Sequence, residues 1–368
     1  MNATRSNAAA AASTPRDTDE ALDAAITLTA PAASTTTAES AAPGSPTGTA
    51  AAGIPLWRQL LTLEERKDLL TINPLRSWWT IASNWILIFA AMALVAWRPN
   101  VATIVVALFL IAARQLGLAV VMHEAAHRTL FKSRAWNDWA GNWLAAYPVW
   151  TDTAPYRNYH LAHHSKTGTF EDPDLGLVTP FPITPASFRR KVWRDLSGQT
   201  GIKQAILVYK RDMGFGRRRS QRNFGMSGGE RADVGWHKIA PVAITNAVLL
   251  AILTLAGHPA LYLLWVVSWL TTYRLVTRIR AIAEHSVVPD QLDPLRNTRT
   301  TRARWWERLL IAPNLVNYHY EHHLMMTVPH HNLPKLHRRL REHGLLPEGC
   351  FASGGYLEVL RLATSRAG

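Results

Sequence analysis

VATIVVALFLIAARQLGLAVVMHEAAH, residues 101–127, decides how the rest of the chain is read. Its first 22 residues are interrupted by strongly polar side chains only at Arg114 and Gln115, and a helix of that length crosses a hydrocarbon core of about 30 Å. No helix breaker separates this run from His123 and His127. A helix continued to about residue 130 carries its last two turns past the bilayer core into the wet boundary. The stretch therefore predicts a membrane span ending in two imidazoles on one helix face, since positions i and i+4 lie one turn apart.

Working outward, an apolar run at 78–97 precedes it, and a second pair covers about 239–257 and 259–276. The short links Arg98–Asn100 and Gly257–Pro259 join each pair into a transmembrane helical hairpin. Both links are nearly free of Lys and Arg, whereas the other segments carry almost all 40 of these residues. By the positive-inside rule the links face outward and everything else faces the cytoplasm. Tryptophans near the ends of the runs fit interfacial belts better than the core of a soluble bundle. The expected class is an all-α integral membrane protein of the inner or plasma membrane, with two transmembrane hairpins and a cytoplasmic helical cap.

Two further histidine groups lie on that cytoplasmic side. HLAHH at 160–164 supplies His160, His163 and His164, and HYEHH at 319–323 supplies His319, His322 and His323. With 15 His in 368 residues, two H-x-x-H-H triplets arise by chance on the order of once in several thousand such chains. A helical path holds the three rings of each triplet within an arc of about 100°. Clustered imidazoles that were merely solvated would repel one another when protonated, and neutral imidazole is a ligand for iron, zinc, copper or nickel. His285, reached by helical continuation from the fourth apolar run, mirrors His123 and His127 and is a further candidate.

Nine imidazoles exceed what one ion accepts, whereas a six-coordinate pair has about twelve positions and leaves roughly three open, as a catalytic site requires. Histidine-rich, carboxylate-poor ligation argues against magnesium and calcium. His123-Glu124-x-x-His127 is also the zinc-peptidase signature, but that reading leaves two matching clusters without a purpose. Carboxylates near the clusters are Glu171, Asp172 and Asp174 in the EDPD turn, together with Glu124, Glu284 and Glu321. They are candidate acceptors for imidazole N–H groups, the usual way metal-bound His is oriented. His237, His258, His330, His331, His337 and His343 follow no pattern and stay unassigned.

The net charge of +14 reads as orientation and lipid contact, and the basic run at Arg217–Arg222 is suited to anionic headgroups or an acidic protein donor. The apolar runs argue against a nucleic-acid partner. Cys350 is the only cysteine, which leaves no internal disulfide and no Cys-ligated iron–sulfur centre. Residues 1–53, rich in Ala, Ser and Thr, are expected to form a disordered tail, 54–345 the membrane domain and 346–368 a C-terminal tail. Thr62-Leu-Glu-Glu65 has capping-box form and predicts a short helix to about Leu70. The Trp-rich 136–150 is too short to span and predicts an interfacial or re-entrant segment.

HEAAH at 123–127, HLAHH at 160–164, AEH at 283–285 and NYHYEHH at 317–323 together resemble the integral-membrane fatty acid desaturase superfamily, which includes lipid and carotenoid hydroxylases. EDPD at 171–174 and VPHHNLPKLH at 328–337 resemble its acyl-lipid desaturase branch. The resemblance spans about 55–345. It implies a mushroom-like fold whose cap holds two Fe ions on His123, His127, His160, His163, His164, His285, His319, His322 and His323. Some relatives add an Asn four residues before the isolated histidine. Ala281 stands there instead, so water or a side chain such as Asn317 is needed for a tenth ligand.

The implied activity is oxygen-dependent desaturation of a membrane lipid or fatty acyl chain, with molecular oxygen as co-substrate. The alternatives are hydroxylation, or a histidine-rich membrane protein that binds metal without turnover. No His-Pro-Gly-Gly motif of a fused cytochrome b5 occurs, so an external electron donor such as ferredoxin or cytochrome b5 is expected.

Overall fold

A computed structural model describes residues 61–215 and 234–367. The expected tail at 1–53 and the basic run at 217–222 lie outside the described residues. Thr62 opens helix α1 (Leu63–Leu69): its hydroxyl accepts the Glu65 N–H at 3.2 Å, and the Glu65 carboxylate accepts the Thr62 N–H at 3.0 Å. This is the capping box read from the sequence. Asn73 then caps α2 (Pro74–Trp97), with Pro at its first position, where the missing N–H costs nothing. After the link, Asn100 and Thr103 cap α3 (Val101–Ala126) reciprocally.

The third helix stops short of the expected residue 130. His127 is its C-cap and Arg128 adopts a left-handed φ of 61°, which turns the chain back so that the Thr129 N–H reaches the Glu124 carbonyl at 3.0 Å. Helix α4 (Arg134–Gly141), a π turn at Asn142–Ala146 and a 3-10 turn at Tyr147–Val149 make up the Trp-rich segment. They lead into α5 (Thr153–Lys166), which carries the second box. There follow α6 (Leu175–Val178), α7 (Pro185–Leu196), α8 (Gln199–Asp212) and α9 (Trp236–Leu255).

The last apolar run is not one helix. It is divided into α10 (Tyr262–Leu270) and α11 (Thr272–His285) by Thr271, at φ −121° and ψ −89°. Gly201 of α8 sits against this break, where an added Cβ would lie 2.0 Å from the Leu270 carbonyl oxygen. Carbonyls beside the break accept side-chain donors: the Thr271 hydroxyl reaches Val267 at 2.6 Å, in addition to the Thr271 N–H at 3.0 Å, and the Arg274 guanidinium reaches Trp269 at 3.0 Å.

Beyond α11 the chain forms strand β1 (Thr300–Thr301), α12 (Trp305–Leu310), α13 (His319–Leu324), α14 (Leu333–Glu342), β2 (Phe351–Ala352) and α15 (Tyr356–Ala363). Among the described residues the fold is thus helical apart from one parallel ladder, Thr300 opposite Phe351 and Thr301 opposite Ala352. Residues after 345, expected as a tail, supply β2 and α15. There Tyr356, Val359 and Ala363 join Ile282 and Ala283 of α11 in one buried cluster. An eight-residue helix offers too few turns for its apolar periodicity to stand out in the sequence.

Four stretches among the described residues are long and apolar enough to cross a membrane: Leu63–Trp97, Val101–Ala126, Trp236–Leu255 and Pro259–His285. Helix α3 is their centre. Ile111, Leu118 and Val121 pack with Ile88 and Met92 of α2 and with Trp265 and Trp269 of α10. Outward-facing apolar side chains such as Leu75, Trp79, Val105, Val248 and Ile252 are exposed. A belt of that extent is unfavourable in water and suited to lipid.

Candidate metal centre

Four helix ends bring the histidine boxes together. His123 lies in the last turn of α3 and His127 caps it; His160, His163 and His164 lie near the end of α5; His285 ends α11; and His319, His322 and His323 lie on α13. Their ring nitrogens form two adjacent groups. His123, His127, His160, His164 and His322 make one, and His163, His285, His319 and His323 the other, with the donor atoms of each group within 4.8 Å of one another. All nine sequence candidates are present, and among the described residues no other is in either group.

The division follows from helix geometry. In H-x-x-H-H the first and third histidines are at i and i+4, about 40° apart around the axis, while the middle one at i+3 is offset by about 60° the other way. Accordingly His160 and His164 share the first group while His163 crosses to the second, and His319 and His323 share the second while His322 crosses to the first. Each triplet ties both groups together.

The donor atoms suit a metal. Nε2 of His160 lies 2.9 Å from that of His164, which lies 3.0 Å from that of His322; in the second group His285 faces His163 at 3.2 Å and His319 at 2.8 Å. Two neutral imidazole lone pairs at such distances repel unless a proton or a cation lies between them. Metal–nitrogen distances of about 2.1 Å put neighbouring ligands about 3 Å apart, which these pairs match. The Nε2 atoms of His123, His127 and His323 are buried without a hydrogen-bond partner among the described residues.

Burial, and then the neighbouring imidazoles, hold His160, His164, His319, His322 and His323 well below the usual histidine range; His127 is held down likewise by burial and His123. They are neutral donors at physiological pH. His163 moves the other way. Its burial disfavours charge, but the Asp172 hydrogen bond at 2.8 Å and the nearby Asp174 charge outweigh it and raise the pKa. The same bond lowers that of Asp172 against its own burial. With a cation at Nε2, this contact keeps the proton of His163 on Nδ1.

The carboxylates named from the sequence divide by role. Glu171 forms an exposed ion pair with Lys166 at 2.9 Å, while Asp172 orients His163 and accepts the N–H groups of Gly168 and Asp174, both at 2.9 Å. Asp174 accepts the Tyr159 hydroxyl. Glu284, paired with Arg280, lies 3.6 Å from Nδ1 of His319. Asn317 donates to the Thr301 carbonyl at 3.0 Å, and its Oδ1 is buried without a partner among the described residues.

Two histidines unassigned from the sequence belong to this shell. Glu124 accepts the His330 backbone N–H at 2.9 Å, faces His330 Nδ1 at 3.2 Å, accepts the Thr129 hydroxyl at 2.8 Å and stands 3.6 Å from His123 Nδ1. Glu321 faces His337 Nδ1 at 2.6 Å and accepts the Thr300 hydroxyl. Each glutamate is adjacent in sequence to a box histidine, and each is fastened by a histidine from VPHHNLPKLH. That repeated coupling was the available signal, but spacing alone does not pair residues so far apart in the chain.

Dihydrorhizobitoxine desaturase of Bradyrhizobium elkanii is similar to this chain, 31% identical over 232 residues that make up 61% of this chain and 63% of that protein. The match thus spans less than two thirds of that relative's length. A family model described as fatty acid desaturase matches residues 99–352, a range that contains all nine clustered histidines and both histidines that fasten the glutamates. On that match, this chain belongs to the fatty acid desaturase family.

Proposed function

We propose that this protein is an oxygen-dependent membrane desaturase that introduces a C=C bond into a fatty acyl chain. The observation that carries the reading is the partition of nine imidazoles into two adjacent groups, with His123, His127 and His285 at the ends of apolar helices long enough to cross a membrane. In this proposal His123, His127, His160, His164 and His322 hold one iron, and His163, His285, His319 and His323 hold the other. The second group has one histidine fewer, and Asn317 or water is a candidate for its remaining position.

The chemistry that iron supplies when bound is reduction of molecular oxygen and removal of hydrogen from an unactivated methylene. The chain's own residues do the rest. Asp172 orients His163 from behind, Glu284 and Glu124 stand 3.6 Å behind His319 and His123, the interlocked triplets keep the two groups at a constant separation, and the surrounding helices exclude bulk water. Two transmembrane hairpins, with the boxes in a cytoplasmic cap, would place the centre where a lipid tail bends out of the bilayer. Electrons would come from a separate ferredoxin or cytochrome b5-like donor.

The relative's name favours desaturation over hydroxylation. Mass spectrometry of lipids from cells making the protein tests the choice: an acyl product lighter by two hydrogens is expected, and a product heavier by one oxygen would overturn it. Purified protein is expected to carry iron. Full occupancy by zinc, with no turnover after iron is supplied, would remove the oxidase reading altogether.

A further inference from the structure

A cleft of about 480 Å³ opens beside the metal centre, lined by Asp68, Asn73, Arg76, His331, Lys335 and Arg338 among others. It lies between the start of α2 and the start of α14. Three cationic side chains meet there, and the one carboxylate, Asp68, is already paired with Lys335. Neither Arg76 nor Arg338 forms an ion pair with a carboxylate among the described residues, although Arg339, next on the same helix, pairs with Glu65 at 3.4 Å and with Glu342 at 3.5 Å. Neither ring nitrogen of His331 makes a well-formed hydrogen bond, although the Thr71 backbone lies close. Both ring nitrogens are buried, and burial pushes the His331 pKa down to about 4, so the ring is neutral where it backs the cleft.

The position gives this charge a context. Asn73 caps the 24-residue α2, whose N-terminal dipole favours an anion at this end. Leu75 and Trp79 of the same first turns are exposed, so the cationic cleft adjoins an apolar surface. On the inner side, His331 follows His330, which touches Thr80 of α2 at 3.0 Å and Glu124 beside the first box. The cleft thus stands one residue from the wall of the metal centre, with the shape of charge that an amphiphile with an anionic head requires.

We propose that this cleft binds the phosphate-bearing head group of the acyl donor, with Arg76 and Arg338 as the charge partners. The assignment of that head group to a substrate rests on the desaturase reading above. Two guanidinium groups flanking one cavity suit a phosphate, whose oxygens accept from both. The phosphate has two chemical sources, the phosphodiester of a membrane phospholipid and the phosphopantetheine arm of a thioester carrier.

The test uses the purified full chain in detergent with dodecyl phosphate as the probe and dodecanol as its uncharged control. Wild type is expected to bind the phosphate more tightly than the alcohol. The double variant Arg76→Gln/Arg338→Gln is expected to lose at least about ten-fold of that affinity, since each hydrogen bond to a charged group contributes on that order. Arg98→Gln, at the far end of α2, should bind the phosphate as wild type does. Equal binding of phosphate and alcohol, or undiminished phosphate binding by the double variant, overturns the proposal. Should the double variant fail to hold its metal, Arg338→Gln alone, exposed on α14, reports on the same site.

Turnover then separates the sources. A raised KM in the variant for phosphatidylglycerol vesicles identifies the phospholipid, and a raised KM for palmitoyl-coenzyme A identifies the carrier arm. A wild-type chain that binds dodecyl phosphate through the two arginines yet converts neither donor overturns the desaturase reading and keeps the anion site.

Discussion

Nδ1 of His163 and the Asp172 carboxylate, 2.8 Å apart and both buried, show how one outward contact commits an imidazole to a task on its other side. The proton is held on Nδ1, so Nε2 is left with its lone pair. His330 on Glu124 and His337 on Glu321 act one step further out, fastening glutamates that adjoin box histidines. His330→Leu leaves Glu124 buried with fewer donors and is expected to weaken iron binding, by less than the roughly 10–100-fold cost of losing a direct partner of a metal ligand, because His330 acts through Glu124. Chelator competition measures it, with the surface variant His343→Leu as the reference; equal retention of iron in both would show that the contact is incidental. Asp172→Ala is expected to weaken iron binding more than Asp172→Asn, because the amide oxygen still accepts from His163. If the two variants held iron equally, orientation of His163 by Asp172 would be the wrong account.

At the scale of elements, the break between α10 and α11 has a physical cause that no local signal carries. Leu270 and Thr271 carry no Gly or Pro, and the interruption coincides with the close approach of Gly201 on α8. An Ala at 201 would put its Cβ against a backbone carbonyl, which cannot rotate away. Gly201→Ala is therefore expected to destabilise the fold by about 1–3 kcal/mol, the usual cost of overpacking, seen as a lowered midpoint of thermal unfolding. An unchanged midpoint would mean that α8 is free to shift. The end of α3 is a related case. Apolar periodicity runs through 101–127 without a stop signal, yet the helix ends at Ala126 because Arg128 takes a left-handed turn that returns the Thr129 N–H to Glu124.

For the molecule as a whole, metal and protons compete for the same buried nitrogens. Loaded protein is expected to unfold at a higher temperature than chelator-stripped protein, since an ion that binds only the folded state stabilises it by mass action. In the stripped protein the six histidines His127, His160, His164, His319, His322 and His323 have pKa values below the ordinary 6.5. The unfolded chain therefore takes up protons near 6.5 that the folded chain refuses, and stability is present above that value and declines as pH falls toward the lowered ones. His163 has the opposite sign, its contribution being lost as pH rises through its raised pKa, but it is one against six. A lower unfolding midpoint for stripped protein at about pH 5.5 than at about pH 7.5 is expected; no difference would show that the imidazoles are solvated.

Much of this was legible in the chain itself. The four apolar runs and the spacing of the boxes are local properties, set by hydropathy over about twenty residues and by a turn of about 100° per residue, and neither needs a neighbour to be read. All nine clustered histidines were named on those grounds together with the family resemblance. The three-dimensional arrangement decided what depends on the placement of one helix against another. It set which imidazoles share a group, drew His330 and His337 onto Glu124 and Glu321, parted α10 from α11, and docked residues 351–363 against α11. Sequence periodicity orients a side chain about its own helix axis, whereas the partner it meets depends on how the axes cross, and that is settled by packing over the whole molecule.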